Sequence, residues 1–530
     1  MIYVLNLGIA ETTSLFRDQP MSPNSITNTP MELSPVNGAI LNQLLSRSDS
    51  STETIKDFWR FMLLCFNTPR PSTNYDGVDK PERSIPIRRA IEQICKDRGL
   101  AYTEDSALNV IVSNNPGKKA LVCFQGHMDV VVSKNDSVVH NFETEGVDVR
   151  LMSDGTLKPV KGITLGADNG VAIAAGLAIL VNHKEVPLEL LVTQNEETGF
   201  DGARGLDVSK LTSDVLLNLD TEVEDQICVG SAGGFEQRFY IPIETSTTDS
   251  KKFSVCLTNF KGGHSGIDID KEKFNAIIAM QRILLLVNED IRLVSFNGGT
   301  SSNAIPRECS AVVAVKDESV ISRLRENFDT LKSEIVLNEP DCQLVISPVT
   351  GNEPMKALTV ESTQRVLRFL SACPNGIMHR NMQTGDVESS VNIGVVQTGI
   401  TEFVVKLLAR STSVSWMKYF AKRLTAIGSL ANARVEELIG MFGSWEPDVS
   451  SGVVKRLISS HPKGIKPKLY SVHAGLEGST IMERFAEAGR KIECASIGPQ
   501  IEHAHSPDEC LFVESAVNFV NWVESYVRKA

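Results

Sequence analysis

Three times along this sequence a short apolar, strand-like run leads into side chains of the kind that hold metal ions, and a Gly-rich loop supplies a fourth such place. Residues 120–124 lead to His127 and Asp129 in QGHMD, and the loop 162–170 carries Asp168 in TLGADNG. Residues 188–193 lead to Glu196 and Glu197 in NEETGFDG, and residues 215–219 lead to Asp220 in NLDTE. Ligand sites in open α/β sheets lie beyond the carboxyl ends of the strands, so this repetition predicts that the side chains converge. The helical stretch 170–182 and the Gly-rich turns between the runs supply the matching α/β alternation.

At 530 residues the chain is too long for one hydrophobic core, and its 42% hydrophobic content is that of a folded globular protein. The spacing of Phe58, Phe61, Met62, Leu64 and Cys65, and then of Ile91, Ile94 and Cys95, predicts two amphipathic helices separated by turns at residues 69–75. From about residue 234 to residue 440 the character changes. Strand-like pieces (253–257, 309–316) alternate with helical ones (272–287, 360–370), as in a second, α+β domain. The section 462–530 returns to strand and helix signals, ends in a helical pattern over 515–527, and is expected to rejoin the first sheet. The first thirty or so residues, rich in Ser, Thr, Asn and Pro, read as a mobile extension, with Met21 and Met31 as alternative starts.

Charge and cysteine content narrow the function classes. A net charge of −12 without clustered Lys and Arg argues against a nucleic-acid partner. No apolar run reaches 18 residues and the N-terminus lacks a secretory pattern, so no membrane association is expected and a soluble, cytoplasmic protein is. Ten scattered cysteines without a C-x-x-C read as reduced thiols. Neither G-x-G-x-x-G nor a phosphate loop is present.

The ligand-type residues carry the chemistry. His127 and Asp129, two apart, project to one side of an extended segment, where a carboxylate can orient a metal-binding imidazole. Asp168 beside glycines at a helix start suits either a helix cap or a bridging carboxylate. Glu196 and Glu197 repel one another unless solvated or shared with cations; at a strand end, one can bind metal while the other takes a proton from bound water. HAHSPDE adds His503 and His505 before a proline turn, and spacing does not choose between them. Two imidazoles and three carboxylates suit zinc, manganese or cobalt better than calcium.

The strings QGHMDVV, TLGADNG, NEETGFDGARGL, NLDTE, GSAGG, KGGHSG, FNGGT, NAIPRE, PNGI, HAGLE, SIGP and HSPDE occur in one order from about Leu33 to the C-terminal helix. In this the chain resembles the M20 metallopeptidases and, within them, the aminoacyl-histidine dipeptidases. The resemblance implies a phosphorylase/hydrolase-like α/β catalytic domain for two metals (residues 33–233 and 441–530) and an inserted α+β lid and dimerisation domain (234–440). Residues 1–32 stand outside it as the extension.

It further implies two divalent ions, zinc by default. His127, Asp168 and Asp220 would hold one, and Asp168 would bridge to a second held by Glu197 and His505. Asp129 would orient His127. Glu196 would act as general base while a bridging hydroxide attacks the peptide carbonyl, and His264 would stabilise the oxyanion. Asn303, Arg410 and the turn from Gly475 to Glu477 would contact the substrate. The implied activity is hydrolysis of small peptides, with breadth among dipeptides and a preference for Xaa-His including β-alanyl-histidine, by a homodimer. An N-acyl amino acid amidohydrolase or deacylase of the same family, or a non-catalytic homologue, is the alternative.

Overall fold

The computed structural model describes residues 32–350 and 356–529. Residues 1–31, on which the expectation of a mobile extension falls, lie outside that range. The apolar runs form the middle of an eight-stranded sheet. Its order is Ala101–Glu104, Val110–Ser113, Glu189–Thr193, Cys123–His127, Val215–Asn218, Glu493–Ser496, Gln226–Ser231, Lys468–Val472. Cys123–His127 runs parallel to both Glu189–Thr193 and Val215–Asn218. Every residue of Cys123–His127 and Glu189–Thr193 is buried; Glu189–Thr193 reads as an apolar run for that reason, whereas Cys123–His127 begins inside the run at 120–124 and continues through Gln125 to His127.

One face of the sheet is covered by the helix Ala167–Asn182, whose residues from Ala167 to Leu180 are all buried. The helices Glu53–Asn67 and Val513–Arg528 pack against it. Glu53–Asn67 begins where Thr52 accepts the N–H of Ile55, a side-chain cap for an otherwise orphan donor. The strands Lys468–Val472 and Glu493–Ser496 and the final helix show that the C-terminal section does rejoin the first sheet.

A ten-stranded sheet with its own hydrophobic core is built from strands between Gly233 and Phe442, together with the strand Lys356–Leu358 paired to Thr245–Thr247 in a small ribbon. Ser231 closes a strand of the first sheet and Gly233 opens one of the second. The returning chain meets it there: the backbones of Ser231 and Trp445 exchange two hydrogen bonds of 3.0 Å. The helix expected over 272–287 spans Ala276–Leu285, because Asn275 caps it by accepting the N–H groups of Ile277 and Ile278. All ten cysteines are free, and all but Cys256 are buried.

Candidate metal centre

Strand register places the site. His127 pairs with Thr193 and Gln125 with Asn218, so the three central parallel strands end at one edge. From that edge the chain runs on into Asp129, into Glu196 and Glu197, and into Asp220. Asp168 enters from the start of the helix Ala167–Asn182, and His505 from the loop before the strand Cys510–Phe512.

Asp168 stands between the two histidines. Its Oδ1 is 2.9 Å from His127 Nε2 and its Oδ2 is 2.9 Å from His505 Nε2. Asp220 Oδ1 lies 3.5 Å from His127 Nε2, and Glu197 Oε2 lies 3.2 Å from His505 Nε2. Potential ligand atoms therefore gather in two sets that share Asp168: His127, Asp168 and Asp220, and Asp168, Glu197 and His505, each within 4.8 Å. A third set joins His127 to Glu196 and Glu197. His503 is exposed and belongs to none of them.

The electrostatics fit cations. Burial holds the Glu196 carboxyl well above its ordinary range and raises that of Glu197. Burial also pushes Asp220 up to about 6. His505 is pushed up to about 11 by its hydrogen bonds, first to Asp168 and then to Glu197. Burial disfavours the charge on Asp168, but the His127 charge and the hydrogen bonds from His127 and His505 outweigh it and hold the group low. Without an ion, protonated imidazoles neutralise crowded carboxylates. Glu197 Oε1 is buried with no hydrogen-bond partner among the described residues. A divalent ion satisfies both the charge excess and the orphan oxygen.

Asp129 sits behind this shell. It accepts from Ser72 Oγ at 2.7 Å and from the backbone N–H groups of Glu196 (3.0 Å) and Glu197 (3.3 Å), and its Oδ1 is 3.5 Å from His127 Nδ1. His127 Nδ1 also contacts the Asp129 carbonyl at 3.0 Å.

On the second sheet's side, His264 Nδ1 accepts the N–H groups of Gly266 (3.2 Å) and Ile267 (3.1 Å), which leaves the proton on Nε2. Arg410 Nη2 lies 3.5 Å from that nitrogen. The exposed Asn303 adjoins this loop, its carbonyl accepting the Ser265 N–H at 2.8 Å. Gly475 is half-buried in the turn after Lys468–Val472. Glu477 is wholly buried: its Oε2 accepts from Gln125 Nε2 (2.7 Å) and Thr193 Oγ1 (2.5 Å), its Oε1 has no hydrogen-bond partner among the described residues, and burial pushes it up to about 8.

Several residues at the site escape sequence reasoning. Asn169 Nδ2 donates to the Leu219 carbonyl at 3.0 Å and to the Asp220 carboxylate. Arg70 and Glu509 are buried around the Asp168 loop. Glu222, half-buried near Asp168 and Asp220, is pushed up to about 8 by burial. Asn169 and Glu509 lie inside TLGADNG and HSPDE, but no spacing rule marks them.

Comparison with known proteins finds relatives over most of the chain. A family model described as a peptidase dimerisation domain matches residues 256–336. A cytosol non-specific dipeptidase of Escherichia coli is 34% identical over 441 residues, covering 80% of this chain and 89% of that protein. The crystal structure of an aminoacylhistidine dipeptidase from Vibrio alginolyticus superimposes with a TM-score of 0.80 at 28% identity, covering 92% of this chain and 99% of that one. A Staphylococcus aureus tripeptidase shares the fold, with a TM-score of 0.50 at 16% identity over 90% of this chain and 98% of its own. Identity of this extent, together with a catalytic α/β body carrying an inserted α+β unit, establishes that the chain belongs to the M20 family of metallopeptidases.

Proposed function

We propose that this protein is a di-metal dipeptidase of broad specificity that favours Xaa-His substrates. The observation that carries the reading is the pair of ligand sets sharing the Asp168 carboxylate. His127, Asp168 and Asp220 would hold one ion, and Asp168, Glu197 and His505 the other. Two such ions, zinc by default with manganese or cobalt as alternatives, polarise a carbonyl and acidify water when bound. The relatives named for hydrolysing dipeptides, one of them aminoacyl-histidine, support the substrate class.

The chain's own groups supply the rest. Glu196 belongs to neither set that shares Asp168, yet it stands among the ligands, and its burial favours holding a proton; it serves as general base and then delivers the proton to the leaving amine. His264 presents its Nε2–H to the developing oxyanion. Arg410 and Asn303 would receive the substrate's carboxylate, and Gly475 would contact the substrate.

Residues 33–233 and 441–530 form the catalytic body, with 234–440 as its lid. The match of 256–336 to a dimerisation domain supports a homodimer, and the relative named as cytosolic supports a cytoplasmic protein.

The test is hydrolysis of a panel holding β-alanyl-histidine, Gly-His, other dipeptides and N-acyl amino acids. It uses chelated protein before and after addition of zinc, manganese or cobalt. Metal-restored cleavage that favours a C-terminal histidine is expected. Cleavage of the N-acyl amino acids alone makes the protein a deacylase, and no cleavage with any metal overturns the catalytic reading.

A further inference from the structure

The loop that delivers Asp168 is gripped from two sides by a buried pair of opposite charges. Glu509, wholly buried, accepts four backbone N–H groups: those of Leu165 and Gly166 on Oε2, both at 2.9 Å, and those of Ala167 (2.8 Å) and Asp168 (3.3 Å) on Oε1. Arg70 donates to the Gly166 carbonyl of the same loop and to the carbonyls of Met128 (3.1 Å) and Asp129 (3.4 Å), just past His127.

The two grips tie the loop to different partners. Glu509 closes the turn that carries His505, its N–H donating to the Ser506 carbonyl at 3.2 Å, and the strand Cys510–Phe512 anchors it from the other side. Arg70 ties the loop to the His127 segment. The spacing between Asp168 and His127 is thus set through Arg70, and the spacing between Asp168 and His505 through Glu509.

We propose that Glu509 is a positioning residue for one metal only, the ion held by Asp168, Glu197 and His505. The inference rests on the di-metal reading above. A carboxylate with two oxygens can accept all four donors at once, whereas an amide turns an N–H₂ group against two of them. Glu509→Gln therefore loosens the Asp168 loop from the His505 turn but leaves the Arg70 tie to the His127 segment intact. Loss of such an outer-shell partner weakens metal binding by about 10–100-fold.

The experiment is titration of the metal-free, full-length protein with cobalt, following the visible d–d bands through both equivalents. In Glu509→Gln one binding step is expected to weaken by about 10–100-fold while the other stays within about threefold of wild type. Glu509→Asp, which keeps the anion but shortens its reach, should weaken the same step by less, and it carries the test alone if the glutamine variant does not fold. Both steps weakened alike, or neither, in the variant that folds overturns the role. If the wild-type protein itself takes up fewer than two equivalents, the di-metal reading fails and this inference with it. Two normal wild-type steps with an unchanged variant sink the inference alone.

Discussion

The Asp129 carboxylate accepts the backbone N–H of Glu196 at 3.0 Å, so the residue two positions after the first histidine holds the start of the acidic doublet 67 residues later. The same carboxylate lies beside His127 Nδ1. One buried side chain thereby orients groups from two neighbouring strands. Asp129→Asn turns an N–H₂ group toward donors that need an acceptor. Metal affinity should fall by about 10–100-fold, read by competition with a chromogenic chelator. Wild-type affinity would remove Asp129 from the orienting role.

In the proposed function Glu196, outside the two ligand sets that share Asp168, moves protons while those sets hold the metals. Glu196→Gln should lower kcat by about 10²–10⁴ while metal content, measured by plasma mass spectrometry, stays at the wild-type level. Normal turnover, or loss of metal in step with activity, contradicts that division of labour.

Gly126 precedes His127 where the strand meets the helix Ala167–Asn182. A Cβ there would lie 2.1 Å from Asn169 Oδ1 and 2.2 Å from the Ala172 Cβ. Gly126→Ala must push the helix start away, and Asn169 transmits the shift to the Leu219 carbonyl and Asp220. Overpacking of this kind costs about 1–3 kcal/mol. Denaturant unfolding of the metal-free protein should show that loss, and metal affinity should fall as well. Gly38→Ala, in the helix Pro35–Leu45 with nothing near its would-be Cβ, should instead stabilise by up to about 1 kcal/mol.

His183 at the end of the helix Ala167–Asn182 bonds Glu524 of the last helix at 2.9 Å, and Thr54 donates to the same carboxylate at 2.8 Å. The hydrogen bond to Glu524 raises the His183 pKa, and the bond from His183 lowers that of Glu524. The histidine's contribution is complete below its unfolded value of about 6.5 and fades as pH rises through the folded value. The glutamate's contribution is present above its unfolded value of about 4.3 and fades as pH falls through the folded value. Glu524→Gln should therefore cost most, about 1–3 kcal/mol, near pH 5–6, and less as pH climbs toward 9. Unfolding free energies measured across that range check it; a pH-independent difference contradicts it.

Much of this protein is set by sequence alone. The buried parallel strands read as apolar runs because both their faces are covered, and the ligand-type residues stand where those runs end, since that is where an α/β sheet opens to solvent. His127, Glu196, Glu197 and Asp220 are legible as candidates for that reason, whereas Asp168 is marked by its Gly-rich loop at a helix start. Which of His503 and His505 turns inward is not legible, because both sit in one loop and the choice depends on where its backbone goes.

Glu477 shows the other limit. The resemblance implies a substrate contact for Glu477, and no local pattern shows that its carboxylate accepts from Gln125 and Thr193. Glu509 meets the Asp168 loop because the strand that follows it, Cys510–Phe512, returns to pair with Thr156–Pro159, whereas Arg70, 439 positions earlier, reaches the same loop from just past the helix Glu53–Asn67. Local pattern determines which residue types stand at strand ends. Only long-range closure of the chain decides which backbone groups and buried charges surround them, because those partners come from segments with no periodic relation to the motifs.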